Sequence, residues 1–274
     1  MRFVLMFLCF TVAFASPVSA GAGPWQDHQG MIKTRIVTAS ADMAKDGKAL
    51  LAWEAELEPG WKTYWRSPGE AGLPVRLQSG GNGIEILYPV PERFELFGLQ
   101  TYGYSHKVLL PFYTQVPEGG APLAVSADFM VCKDICVPFE ANYEVAAASL
   151  AEEASAQDIR FDVWLKRVPA REGLAEAGLS IVSAQVMGTP GHQRVIVDVA
   201  ADSNLSSADL LAEAGSKFHF GAPDKSLSGN GMTARFVLMA MTGKKPDDLR
   251  GQSVRLTFMD GNGHAIDRTV ELEP

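Results

Sequence analysis

From Met31 to Tyr143 the apolar positions recur every second residue. Ile32, Thr34, Ile36 and Thr38 alternate with Lys33, Arg35 and Val37, and Leu51, Trp53, Ala55 and Leu57 alternate with Ala52, Glu54 and Glu56. Three further runs follow: Ile84, Ile86 and Tyr88; Val108, Leu110 and Phe112; and Leu123, Val125, Ala127, Phe129 and Val131. A period of two is that of a strand with one buried face. Turn-forming clusters separate the runs at Glu58-Pro59-Gly60, Ser67-Pro68-Gly69, Ser79 to Gly83 and Pro117 to Gly120. Short strands between such turns predict an antiparallel sandwich.

The period changes after Ala146. Ser149 and Glu152 have capping-box spacing, and Phe161, Trp164, Leu165 and Val168 fall at i, i+3, i+4 and i+7, one helical stripe that Pro169 should end. This predicts a helical connector over 149–177. Period two returns at Leu179. Val195, Val197 and Val199, then Phe218 and Phe220, then Arg235 to Met241 read as strands. Val254 to Met259 and Ala265 to Leu272 flank Asp260-Gly261-Asn262-Gly263 as a hairpin. The chain is therefore all-β, with one sandwich over 21–148 and a second over 178–274. His192, His219 and His264 are scattered through the second unit and mark no site there.

The first twenty residues stand apart. Arg2 precedes an uncharged apolar run, Phe3 to Ala15, and Val18-Ser19-Ala20 offers the small residues that a signal peptidase reads. This is a secretory signal peptide with cleavage expected after Ala20. The run is short of the roughly 20 residues a membrane span needs. No later apolar stretch approaches that length, so the mature chain is not expected to insert in a membrane. A net charge of −8 argues against a nucleic-acid backbone as partner. Cys9 leaves with the peptide, so export to an oxidising compartment matters for just two thiols, Cys132 and Cys136.

Those two lie in Val131-Cys132-Lys133-Asp134-Ile135-Cys136-Val137-Pro138-Phe139, at the end of a strand. Alternation puts Phe129 and Val131 toward the core and Cys132 on the other face with Asp128 and Met130, which predicts a pair near the surface. Three readings fit the spacing. A structural disulfide closing a five-residue ring is worth only about 2 kcal/mol by chain entropy. A redox-active pair is favoured by the smallness of the ring. A non-enzymatic copper-binding or docking module would use the soft thiolates, with Met130 or a folded-in His106 as further ligand.

The segment Val131 to Phe139 resembles the active-site segment of the amino-terminal periplasmic domain of the DsbD/ScsB thiol:disulfide interchange proteins. Gly60-Trp61-Lys62-Thr63-Tyr64-Trp65-Arg66-Ser67-Pro68-Gly69-Glu70-Ala71-Gly72-Leu73-Pro74 looks like the ScsB-type strand and loop near the site. Tyr88 to Phe94, Phe97-Gly98, Tyr102-Gly103-Tyr104 and Leu109-Leu110-Pro111 follow in the family's order. The resemblance covers roughly 31–145 and extends more weakly into the second β unit. The three-residue cysteine spacing is the ScsB-like form. No Cys-x-x-Cys and no transmembrane run is present, so the expectation is a ScsB-like region standing without the membrane and thioredoxin domains.

The resemblance implies immunoglobulin-like sandwiches and a periplasmic thiol:disulfide oxidoreductase that needs no cofactor or metal. It implies electrons taken from a membrane-embedded donor and passed to a periplasmic thioredoxin-fold or isomerase-like acceptor, a chemistry linked in ScsB-type proteins to copper tolerance. Cys136 would attack the substrate and Cys132 would resolve. The family shields its cysteines with an aromatic cap loop, here Phe94 to Tyr104, with Phe97 as shield; the competing reading of Phe97 is a core aromatic. Tyr64 and Glu140 match positions near the family's site, while Trp61 and Trp65 are expected to pack.

Overall fold

A computed structural model describes residues 21–151, 155–173, 178–215, 217–243 and 246–272. The expected signal peptide and Glu152 of the expected capping box lie outside the described residues. The first sandwich is built from β1 (Gln26–His28), β2 (Ile32–Thr38), β3 (Lys48–Leu57), β4 (Lys62–Gly69), β5 (Arg76–Ser79), β6 (Asn82–Ile84), β7 (Glu92–Leu96), β8 (Leu99–Ser105), β9 (Lys107–Gln115), β10 (Leu123–Cys132) and β11 (Cys136–Val145). One sheet has the order β1-β2-β3-β9. The other runs β6-β5-β10-β4-β8-β7, with β11 also paired to β10. The alternating apolar positions meet between the sheets, where Trp53, Trp65, Phe112 and Phe129 are buried.

The run Ile84 to Tyr88 is not the continuous strand its alternation predicts. β6 ends at Ile84, and Ile86 makes only an isolated bridge to Phe112. Pro89 and Pro91 follow at once, and a residue without an N–H cannot extend a ladder.

The connector is less helical than its stripe suggests. Ser149 lies in a 3-10 turn, Ala147–Leu150, and among the described residues the one α-helix, α1, covers Asp158–Leu165. Phe161 is buried against Val37, Leu50, Ala52 and Leu109 on the outer face of the first sheet, with Trp164 and Leu165 beside it. Past Leu165 the chain tightens: Arg167 N–H bonds to the Trp164 carbonyl and Val168 N–H to that of Leu165. Val168 precedes a proline, which disfavours helical backbone there.

The second sandwich comprises β12 (Ala170–Arg171), β13 (Ser180–Met187), β14 (Arg194–Ala200), β15 (Asp209–Glu213), β16 (Phe218–Phe220), β17 (Asp224–Leu227), β18 (Thr233–Thr242), β19 (Ser253–Met259) and β20 (Ala265–Glu271). Its sheets are β12-β20-β19-β15 and β13-β14-β18-β16, with β17 on β18. Val195, Val197, Phe236, Phe258 and Ile266 fill its core. The last part of the segment read as connector supplies β12, which pairs in parallel with β20. The fold is thus two immunoglobulin-like β-sandwiches joined by a short helical segment. A polar seam links them: the Arg66 guanidinium donates to Glu213 (2.8 Å), Thr257 (2.8 Å) and Asp267 (3.1 Å).

Candidate thiol–disulfide site

β10 and β11 form one long hairpin, in register from Leu123 opposite Val145 to Cys132 opposite Cys136. The cysteines are its last cross-strand pair. Register alone therefore brings them together: their Cα atoms are 4.1 Å apart and the sulfurs are bonded at 2.07 Å. Lys133, Asp134 and Ile135 form the exposed tip. The Lys133 ammonium is drawn aside to the Pro59 carbonyl, 3.2 Å away. Its stem lies over Gly60, where a Cβ would sit 2.9 Å from it. Gly60 has φ 88°, and it is this left-handed turn that calls for glycine, since the flexible Lys133 stem could move aside.

The two cysteines differ in access. Cys136 is exposed and Cys132 is fully buried. Cys132 does share a face with Met130, as the alternation predicts, but it does not lie open on the surface. Tyr64 and Leu96 are buried with it, and Phe94 and Met130 pack against them. Lys62 pairs opposite Cys132, its ammonium 4.8 Å from the centre of the Phe94 ring. The Tyr64 and Phe94 rings are 6.3 Å apart. Among the described residues the Tyr64 hydroxyl has no hydrogen-bond partner, and burial pushes its pKa up to about 12.

The cover is a hairpin. β7 and β8 pair from Glu92 opposite Gly103 to Leu96 opposite Leu99, joined by Phe97 and Gly98. Both turn residues have positive φ, 55° and 77°, as a type I′ turn requires. Along β7 the even-numbered Phe94 and Leu96 face Cys132, while Phe97 at the tip is 64% exposed.

Residues 31–148 match the family model described as "Thiol:disulfide interchange protein DsbD, N-terminal". They form a DsbD/ScsB-like amino-terminal domain. Residues 167–273 match a model described as a domain of unknown function (DUF8393). The crystal structure of the N-terminal periplasmic domain of ScsB from Proteus mirabilis superposes with a TM-score of 0.75 at 18% identity, over 93% of this chain and 99% of that chain. At that identity the likeness is one of fold. No curated protein matches the chain.

Within the DsbD/ScsB-like domain the expected site residues separate into near and far. Tyr64 stands in the cluster with Cys132. Phe97 is on the cap hairpin but is not a core aromatic, and the side chains that bury Cys132 are Leu96, Tyr64 and Phe94. Glu140 is exposed on β11 opposite Asp128, four residues from Cys136, roughly 13 Å along a strand. It is not gathered to the sulfurs. Trp65 is buried in the core and Trp61 packs on it, as expected. His106 sits in the turn between β8 and β9, its carbonyl bonded to the Leu57 N–H, and is not in the Cys132 cluster. Among the described residues no three His, Cys, Asp or Glu side chains gather as a metal site, and no helix is long and apolar enough to cross a membrane. The cover by Leu96 was missed from the sequence, although Phe94 and Leu96 alternating with Arg93 and Glu95 carried the signal for a two-faced strand.

Proposed function

We propose that the chain is a periplasmic thiol:disulfide oxidoreductase in which Cys136 attacks and Cys132 resolves. The observation that carries this reading is the unequal access of two bonded cysteines. An exposed sulfur can meet a partner, and a buried one is kept for the intramolecular step. In the dithiol form the Cys136 thiolate attacks a sulfur of the acceptor's disulfide. That S–S bond breaks, a mixed disulfide forms, and one acceptor thiolate leaves. The Cys132 thiolate then attacks the Cys136 sulfur, the ring disulfide closes, and the second acceptor thiolate leaves. Two electrons have passed to the acceptor, and a donor dithiol restores the pair by the reverse exchange. Docking supplies the proximity that accelerates the step. The unpartnered Tyr64 hydroxyl is the polar group in the cluster suited to donate to a Cys132 thiolate.

The family description supports a membrane-embedded donor and a thioredoxin-fold acceptor, and the run from Arg2 through Phe3–Ala15 to Val18-Ser19-Ala20 supports export after cleavage near Ala20. We divide the chain into a redox domain over 21–148, a connector over 149–177 and a second domain over 178–274. Cys132→Ser should trap a mixed disulfide through Cys136 with a thioredoxin-fold acceptor, resolved by non-reducing electrophoresis and mass spectrometry. Cys136→Ser should trap much less. Accumulation of the complex in Cys136→Ser instead would reverse the two roles, and no complex with either variant would sink the reading.

A further inference from the structure

The cap hairpin has two faces, and only one meets Cys132. On the other, Arg93 of β7 and Tyr102 of β8 stand opposite each other and reach the second sandwich. The Arg93 guanidinium grips Asp209 at the start of β15 through hydrogen bonds of 3.0–3.2 Å. Its remaining nitrogen donates to the Tyr102 hydroxyl (2.9 Å), which itself donates to the Phe220 carbonyl (3.1 Å). Asp209 is held in turn by the Leu210 N–H, 2.8 Å from Oδ1. Arg93 and Asp209 are both partly shielded from water, and a forked Arg–carboxylate pair is directional as well as strong. The residue after Arg93 is Phe94, one of the side chains packed in the Cys132 cluster. Its carbonyl is fastened by Gln100 (3.2 Å) and Thr101 (3.0 Å).

We propose that the second sandwich is a brace, holding the β7–β8 hairpin closed over Cys132 through the Arg93–Asp209 fork and the Tyr102–Phe220 bond. Arg93 and Asp209 are then positioning residues: they touch neither sulfur and act through Phe94 and Leu96. This assigns a role to the unit matched by a family of unknown function, and its significance rests on the redox reading above. Arg66 supplies a second anchor on the same sheet, one strand away in β4.

The test uses the full oxidised chain. Asp209→Ala should speed amide hydrogen exchange across residues 93–104 by about five- to thirtyfold, the effect of losing a charged hydrogen-bonded fork on an opening equilibrium. Protection in β2–β3 and β14–β18 should stay as in the wild type. Reduction of the disulfide by glutathione should accelerate in step. The double exchange of Arg93→Asp with Asp209→Arg should restore both rates toward wild type, and Asp209→Asn serves if the alanine variant is poorly folded. Unchanged exchange in the hairpin overturns the brace, and so does a loosened hairpin with an unchanged glutathione rate. Hydrogen exchange needs no thiol chemistry, so the brace can fail while Cys132→Ser still traps its partner, or stand while that trap fails.

Discussion

Replacing Phe97 by Asn tests which side chain of the hairpin covers the disulfide. Two terms oppose each other. A side chain in the left-handed region costs roughly 1–2 kcal/mol, and Asn at the first position of a type I′ turn largely avoids this. Phe97 has φ 55°, so the substitution relieves that cost. Against it stands the packing of the ring, which Asn forfeits. Phe97 is 64% exposed. Only about a third of a residue of roughly 200 Å² is therefore covered, and ~70 Å² at ~25 cal/mol/Å² is at most about 2 kcal/mol. The terms cancel to within about 1 kcal/mol. Urea denaturation of Phe97→Asn should therefore give a stability close to wild type. Its disulfide should be reduced by glutathione within about twofold of the wild-type rate, as for an ordinary surface change. Leu96→Ala is the contrast. Leu96 is 6% exposed inside the Cys132 cluster. Its truncation should cost about 2 kcal/mol, the low end for a buried leucine because the cluster is small, and it should speed reduction by opening a path to Cys132. A loss of about 3–5 kcal/mol in Phe97→Asn, as for a core Phe, would refute this reasoning. So would an acceleration equal to that of Leu96→Ala, which would make Phe97 the lid.

The connector helix is held by a buried charge: Glu54 accepts from Arg35 at 2.7 Å and from Arg160 of α1, with Lys107 at 3.1 Å. Glu54→Gln should lower stability at neutral pH by about 3 kcal/mol, less than a fully buried pair would lose because the cations reach solvent. Burial raises the Glu54 pKa, but hydrogen bonds from Arg35 and Arg160 outweigh it and hold the carboxyl below its ordinary 4.5. Its contribution is complete above that value and disappears as pH falls through the lower folded-state pKa. The acid limb of the urea midpoint should flatten in Glu54→Gln, and an unaltered limb counts against the assignment. His28 behaves in the opposite chemical sense: burial pushes its pKa below 6.5, against a smaller upward pull from Asp27. The unfolded chain then binds its proton first, so stability declines as pH drops below 6.5. His28→Gln should remove that slope, and an NMR titration placing His28 at or above 6.5 would falsify the idea.

The His28 case shows how far polar chemistry can be followed once the fold is known. Trp53 Nε1–H lies 3.1 Å from the Tyr143 hydroxyl, which is 2.6 Å from Thr34 Oγ1, itself 2.7 Å from His28 Nε2. An indole can only donate. The Tyr143 oxygen therefore accepts from Trp53, and the chain of hydrogen bonds runs on through Thr34 Oγ1 to the half-buried His28 ring. No spacing in the chain announces this, because Thr34 and Tyr143 are 109 residues apart.

What could be read beforehand was whatever a strand's two faces impose locally. The alternation in β10, β14 and β18 marks strands because each buries one face; in β2, β3 and β9 it marks the face toward the core, although α1 covers part of the other. It placed Cys132 on the face away from the core for the same reason. It could not say that another hairpin lies on that face, so a cysteine expected near the surface is buried. The stripe at Phe161, Trp164 and Leu165 told which side of the helix packs, but not that the helix stops at Leu165, since a 3.6-residue period carries no length. Arg66 and Arg93 were the hardest to read. An isolated arginine on a strand looks like a solvated residue, and their partners lie 116–201 residues further on. Such pairs form only after both sandwiches exist. They are therefore where the relative placement of the two units can be altered with least damage to either core. That makes Arg93 and Asp209 a sharper probe of coupling between the sandwiches than any core substitution.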